Sequence, residues 1–190
     1  MLSATTMQTV CRHFAALLGY PDGTTRSGAA SCAGLLGDAC AAASPSFAGF
    51  SRFLETHEDA RIEEIYTATF DLQPACHPYV GYQLCGESQQ RALFLMQLQQ
   101  LYRQHGFAGG SELPDHLATM LRFIAAVDDP CCRAELIRDG LLPALDKMLA
   151  QTQTGTQPYA QLLQSLQLFL RHSVAAPVLS AVSRQKEVCS

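Results

Sequence analysis

The sequence predicts an all-α protein, a single-domain irregular bundle of about eight to ten helices. Three observations carry this. Apolar residues recur at i, i+3, i+4 and i+7 along nearly the whole chain. No segment alternates with period two, and no Asn-Gly or Asp-Gly turn joins two β-branched runs. Hydrophobic residues make up 48% and charged residues 16% of 190 positions, enough to close a core and too apolar for disorder. That length suits one domain, expected over 1–173, with a C-terminal tail over 174–190 that is either helical or flexible.

Met7, Val10, Cys11, Phe14, Leu17 and Leu18 form the first stripe, and Gly19-Tyr20-Pro21 stops it. A glycine-weakened helix is expected over about Gly28 to Ala43. Ser44-Pro45 opens a helix carrying Phe47, Phe50 and Leu54. Thr56-x-x-Asp59 resembles a capping box and precedes Ile62, Ile65, Tyr66 and Thr69. A long Pro/Gly-punctuated loop, Asp71 to Gly86, follows, and structureless loops of that length inside helical domains are usually functional. Glu87 to His105 contains the unbroken run Ala92-Leu93-Phe94-Leu95-Met96, which predicts a central helix buried on most sides. Gly106 is its expected C-terminal cap. A helix from Pro114 presents Leu117, Met120, Leu121, Ile124 and Val127. Asp129-Pro130 starts a short helix that Gly140 is expected to end. Two more stripes, Leu141 to Leu149 and Tyr159 to Leu170, flank the polar linker Thr152 to Thr156.

The formal net charge is -4, and only two of thirteen basic residues are lysines. No basic block appears, so no nucleic-acid surface is expected. No apolar run approaches the roughly 18 residues of a membrane span. The N-terminus lacks a basic start followed by an apolar stretch, and a cytoplasmic location is expected. The eight cysteines contain no C-x-x-C. Most are expected to be small buried apolar residues in a reducing compartment. The nearest approach to a metal site is Cys76-His77 with Cys85, a minor alternative.

Several residues could carry chemistry. His77, Tyr79 and Tyr82 place an imidazole and two phenols in one loop, suited to a binding surface or to covering the bundle. Asp71 lies at a helix C-terminus, where the dipole disfavours a carboxylate without a partner. Glu87 and Arg91 are spaced for an i, i+4 ion pair, which is sufficient reason for both. Asp115 and His116 sit at a helix start, and acid–base work there is balanced against a capping role. No nucleophile elbow, phosphate loop or oxyanion signature accompanies them, so no enzymatic activity is expected.

Two blocks carry a family resemblance. The first is Tyr66-Thr-Ala-Thr-Phe70-Asp71-Leu72, then Gly86-Glu87-Ser88 and the helix through Leu101-Tyr102-Arg103 to Gly106-Phe107. The second is Glu112-Leu-Pro114-Asp115-His116-Leu117, followed by Met120-Leu-Arg-Phe123. Together they resemble the NarJ-type (nitrate reductase delta-subunit) chaperones, within the molybdoenzyme-assembly superfamily that includes TorD and DmsD. The resemblance implies an all-α, non-enzymatic cytoplasmic chaperone. Its partner would be the N-terminal segment of a molybdopterin-containing catalytic subunit, held during cofactor insertion and assembly of nitrate reductase or a related enzyme. It implies no stably bound cofactor and leaves open a transient contact with the client's molybdopterin. Tyr66, Phe70, Tyr79, Tyr82, Tyr102, Leu117 and Met120 would then wall a groove, while Asp71, His77, Glu87, Arg91, Asp115 and His116 orient the peptide. The protein would be a monomer or a dimer. An adaptor subunit retained in a redox complex is the competing expectation.

Overall fold

The computed structural model describes residues 3–71, 76–152 and 157–175. They form α1 (Ala4–Leu17), α2 (Thr25–Ala39), α3 (Ser44–Thr56), α4 (Asp59–Phe70), α5 (Val80–Cys85), α6 (Gln89–Gln104), α7 (Leu117–Ala126), α8 (Pro130–Glu135), α9 (Leu142–Gln151) and α10 (Pro158–Ala175). A 3-10 turn at Ala41–Ala43 precedes α3, and a π-helical turn at Leu136–Leu141 fuses α8 to α9. The all-α bundle expected from periodicity is what the chain builds, and no strand occurs among the described residues. The tail beyond residue 175, with Cys189, lies outside them, as does most of the polar linker.

Local chemistry sets several helix starts. Ser3 accepts a hydrogen bond from the Thr6 N–H, and Asp129 accepts from the N–H groups of Cys131 and Cys132, each satisfying donors a first turn leaves free. Ser88, one residue after the expected start, caps α6 by accepting from the Arg91 N–H. The box at Thr56 does not form. The Thr56 hydroxyl donates back to Arg52 and Phe53 carbonyls, and Glu58 occupies the cap position without a side-chain bond.

The core lies between α1, α7, α2 and the α3–α10 pair. Edge-to-face ring contacts bind it: Phe14 to Phe47 with centroids 5.7 Å apart, and Phe70 to Tyr159 at 5.2 Å. The central helix is α7, with eight of its ten residues buried.

Three expectations are corrected. First, α6 is not the buried helix: only Leu98 and Tyr102 are buried, while Leu93 is 53% and Met96 64% exposed. Glutamines at 89, 90, 97, 99, 100 and 104 interleave its apolar residues, and no neighbour among the described residues covers the far side. Second, the described part of the Asp71 to Gly86 loop, residues 76–86, is not structureless, while 72–75 lie outside the described residues. Tyr79 and His116 form an antiparallel bridge, with Val80 N–H donating to the Asp115 carbonyl and Leu117 N–H to the Pro78 carbonyl, both at 2.8 Å. α5 begins at once after it. Third, Gly140 does not end a helix. Pro143 has no N–H for the carbonyl four residues earlier, and the π-helical widening just before it absorbs that misfit.

Candidate functional site

The bridge between residues 78–80 and 115–117 brings two distant segments of sequence onto the start of α6. Asp115 is fully buried, and its Oδ2 accepts from Arg91 Nε at 3.0 Å. Arg91 also pairs with the exposed Glu87 at 2.5 Å, as its i, i+4 spacing predicts. The guanidinium lies 5.5 Å from the Tyr79 ring centre and 5.8 Å from that of Tyr82, within cation–π range. The His77 ring packs on Tyr82 with centroids 4.4 Å apart. Asp115 Oδ1 is buried without a hydrogen-bond partner among the described residues.

Gly81 makes this arrangement possible. A Cβ at that position would fall 2.8 Å from Asp115 Oδ2 and 2.9 Å from the Phe94 ring. α5 therefore presses its backbone against the ion pair, and no side chain fits between them. Sequence reasoning did not single out Gly81. The Val-Gly-Tyr step was its only local signal.

His116 is 7% exposed, and its Nδ1 accepts from the Ala118 N–H at 3.2 Å, capping α7. Burial depresses its pKa below the ordinary histidine value, though acidic Glu112, Asp115 and Asp71 push the other way. The neutral ring with Nδ1 unprotonated is the form that can accept this bond.

The remaining predicted residues lie deeper. The Tyr102 hydroxyl donates to the Pro114 carbonyl at 2.8 Å, which holds the Pro-Asp-His turn against α6. Leu117 and Met120 are core residues at 1% and 0% exposure. Tyr66 and Phe70 belong to the aromatic cluster around Tyr159. Burial pushes the Tyr66 phenol up to about 12. Asp71 is exposed just past α4. His77, Tyr79, Tyr82, Glu87, Arg91, Asp115 and His116 thus form one cluster, with Tyr102, Leu117 and Met120 beneath it and Tyr66 and Phe70 to one side.

Cys76, His77 and Cys85 do not converge into a metal-binding group, and no set of three or more potential ligands does so among the described residues. Cys76 is buried, which pushes its thiol up to about 12 and keeps it protonated.

A second feature adjoins this cluster. An apolar cleft of about 300 Å³ separates α6 from the α8–α9 rod. Phe94, Gln97, Leu98 and Leu101 form one wall, and Cys132, Glu135, Leu136 and Asp139 the other. Both walls are i, i+3, i+4, i+7 stripes, visible in the sequence but indistinguishable there from core stripes.

In class, the molecule is an irregular all-α helical bundle. Its fold is similar to the crystal structure of an Archaeoglobus fulgidus protein assigned to redox enzyme maturation, with a TM-score of 0.62 and 19% identity, covering 87% of this chain and 94% of that one. The chain belongs to the nitrate reductase delta subunit family, whose model matches residues 37–174. It is also 33% identical over 104 residues to a probable nitrate reductase molybdenum cofactor assembly chaperone, NarJ, of Bacillus subtilis (strain 168). That match covers 54% of this chain and 55% of the relative, about half of each. No helix among the described residues is long and apolar enough to cross a membrane.

Proposed function

We propose that this protein is a non-enzymatic chaperone for assembly of a molybdenum oxidoreductase, nitrate reductase or a related enzyme. It binds the N-terminal segment of the molybdopterin-containing catalytic subunit in the cytoplasm and holds it while cofactors are inserted. The protein itself keeps no cofactor. Membership of the delta subunit family over residues 37–174 is the observation that carries this. The surface supports it: two partly exposed tyrosines over an arginine offer ring area and hydrogen-bonding tips at low entropic cost.

The polar cluster divides the work. Asp115 is too deeply buried to meet a peptide directly. It fixes Arg91, and Arg91 fixes the tyrosines, so the peptide meets Tyr79, Tyr82 and Glu87. Calorimetric titration with N-terminal peptides from the molybdenum catalytic subunits of its own organism tests the function. One peptide should bind saturably, and Tyr82→Ala should weaken it about tenfold while far-UV circular dichroism is unchanged. Failure of every such peptide to bind would overturn N-terminal recognition.

The family description as a subunit favours one second reading, an adaptor that stays in the finished complex. Purification of an active client complex without this chain would exclude it.

A further inference from the structure

We propose that α9 sets the pose of the tyrosine-bearing face, with Lys147 and Gln151 as its positioning residues. This rests on the proposed recognition of a client segment by Tyr79 and Tyr82, and adds a control of that face by residues the segment does not touch. α5 carries Tyr82 and starts directly after Tyr79. With six residues it is too short to hold a helical shape or a direction by itself. Two anchors outside it do so. At its start, the Val80 N–H is bonded to the Asp115 carbonyl, and Gly81 lies against the Arg91–Asp115 pair. At its end, α9 supplies the anchor. Lys147 Nζ donates to the Gln83 carbonyl at 2.8 Å and to the Leu84 carbonyl at 3.3 Å. These are two of the carbonyls that a helix leaves unpaired in its last turn, and a cation there also meets the negative end of the dipole. Lys147 forms no ion pair among the described residues, so its charge is committed to the end of α5.

The side chain of Gln83 ties the same end down a second time. It is buried, its Oε1 accepts from Gln151 Nε2 at 2.9 Å, and its Nε2 donates to the His77 carbonyl at 2.9 Å. One amide thus links α9, the end of α5 and the segment leading into Tyr79. Lys147 and Gln151 are i, i+4 apart, so a single face of α9 makes both sets of bonds. The His77 ring in turn packs on Tyr82. Tyr82 stands between the two anchors, with its ring centre 5.8 Å from the Arg91 guanidinium. That distance is close to the roughly 6 Å limit of a useful cation–π contact, so a small drift at the end of α5 undoes it.

The test uses the full chain with ring-labelled tyrosine, whose magnetic resonance spectrum reports Tyr20, Tyr66, Tyr79, Tyr82, Tyr102 and Tyr159. Lys147→Met should move the Tyr79 and Tyr82 signals and leave the other four in place. In calorimetric titration with a catalytic-subunit N-terminal peptide that binds the wild type, the same variant should weaken binding about fivefold. Gln151→Leu should weaken it about twofold. Lys147→Arg, which keeps the charge and the donors, should restore binding to within about twofold of the wild type. In a Tyr82→Ala background, Lys147→Met should cost less than about twofold more, because the residue it positions is gone. Unmoved Tyr79 and Tyr82 signals, or losses that multiply in the double variant, would overturn the positioning role and leave the proposed function standing. Movement of all six signals would also overturn it, since Lys147 would then support the whole bundle. If no peptide binds the wild type, N-terminal recognition falls, and the tyrosine spectra then decide whether α9 poses this face.

Discussion

α6 and α7 look alike as sequence and differ as structure. Both carry apolar residues at helical spacing, and α6 has the longer unbroken run. Yet α7 is enclosed by α1 and its neighbours, whereas α6 rests on α5 and presents Leu93 and Met96 to solvent. Apolar content states what a helix can bury. Only the arrival of neighbours decides what it does bury, and an apolar helix left half-covered marks a contact surface.

The contrast can be broken first at the ion pair that joins α6 to the start of α7. Asp115→Ala leaves Arg91 largely buried without its partner and should cost about 3–5 kcal/mol in urea unfolding. Glu87→Gln, on the exposed side of the same arginine, should stay within about 0.5 kcal/mol. Equal losses would mean that Arg91 is held from both sides alike.

Identical truncations sharpen the comparison next. Leu121→Ala in α7 should lower stability by about 2–5 kcal/mol, because the site is enclosed and the cavity cannot collapse fully. Leu93→Ala in α6 should change it by less than about 0.5 kcal/mol. A large effect at Leu93 would show that α6 has a neighbour in solution.

Gly81→Ala is a smaller perturbation. The added methyl meets a carboxylate and a ring, and should cost about 1–3 kcal/mol by calorimetric melting. The double change with Asp115→Ala should cost less than the sum of the two, since the closest clash is with that carboxylate.

The smallest effect is at the α7 cap. The folded-state pKa of His116 lies below its unfolded value near 6.5, so the unfolded chain takes up the proton first. Stability from this group is complete above about 6.5 and falls as pH drops from there towards the folded pKa. Melting temperatures from pH 7.5 to 5 should show that decline. His116→Asn, which keeps an accepting cap without titrating, should flatten its contribution.

Legibility in the sequence followed the range of each interaction. α1, α7 and the Asp129-Pro130 start were readable because periodicity and capping are local. The Glu87–Arg91 pair was readable for the same reason, its partners being one turn apart. The bond from Arg91 to Asp115 spans 24 residues and depends on a backbone bridge with no sequence signature. α5 was hidden because six residues show too little of a period. The π-helical turn was hidden because Pro143 reads equally well as a helix start.

Gly81 also constrains history. A carboxylate, an arginine and a bare backbone fill one small volume, so they cannot change independently. A lineage that keeps Asp115 and Arg91 is held to glycine at 81, and a side chain can be gained there only after the carboxylate has been lost or moved. Among relatives, substitutions at the two positions should therefore appear together, with the change at 115 on the older branch.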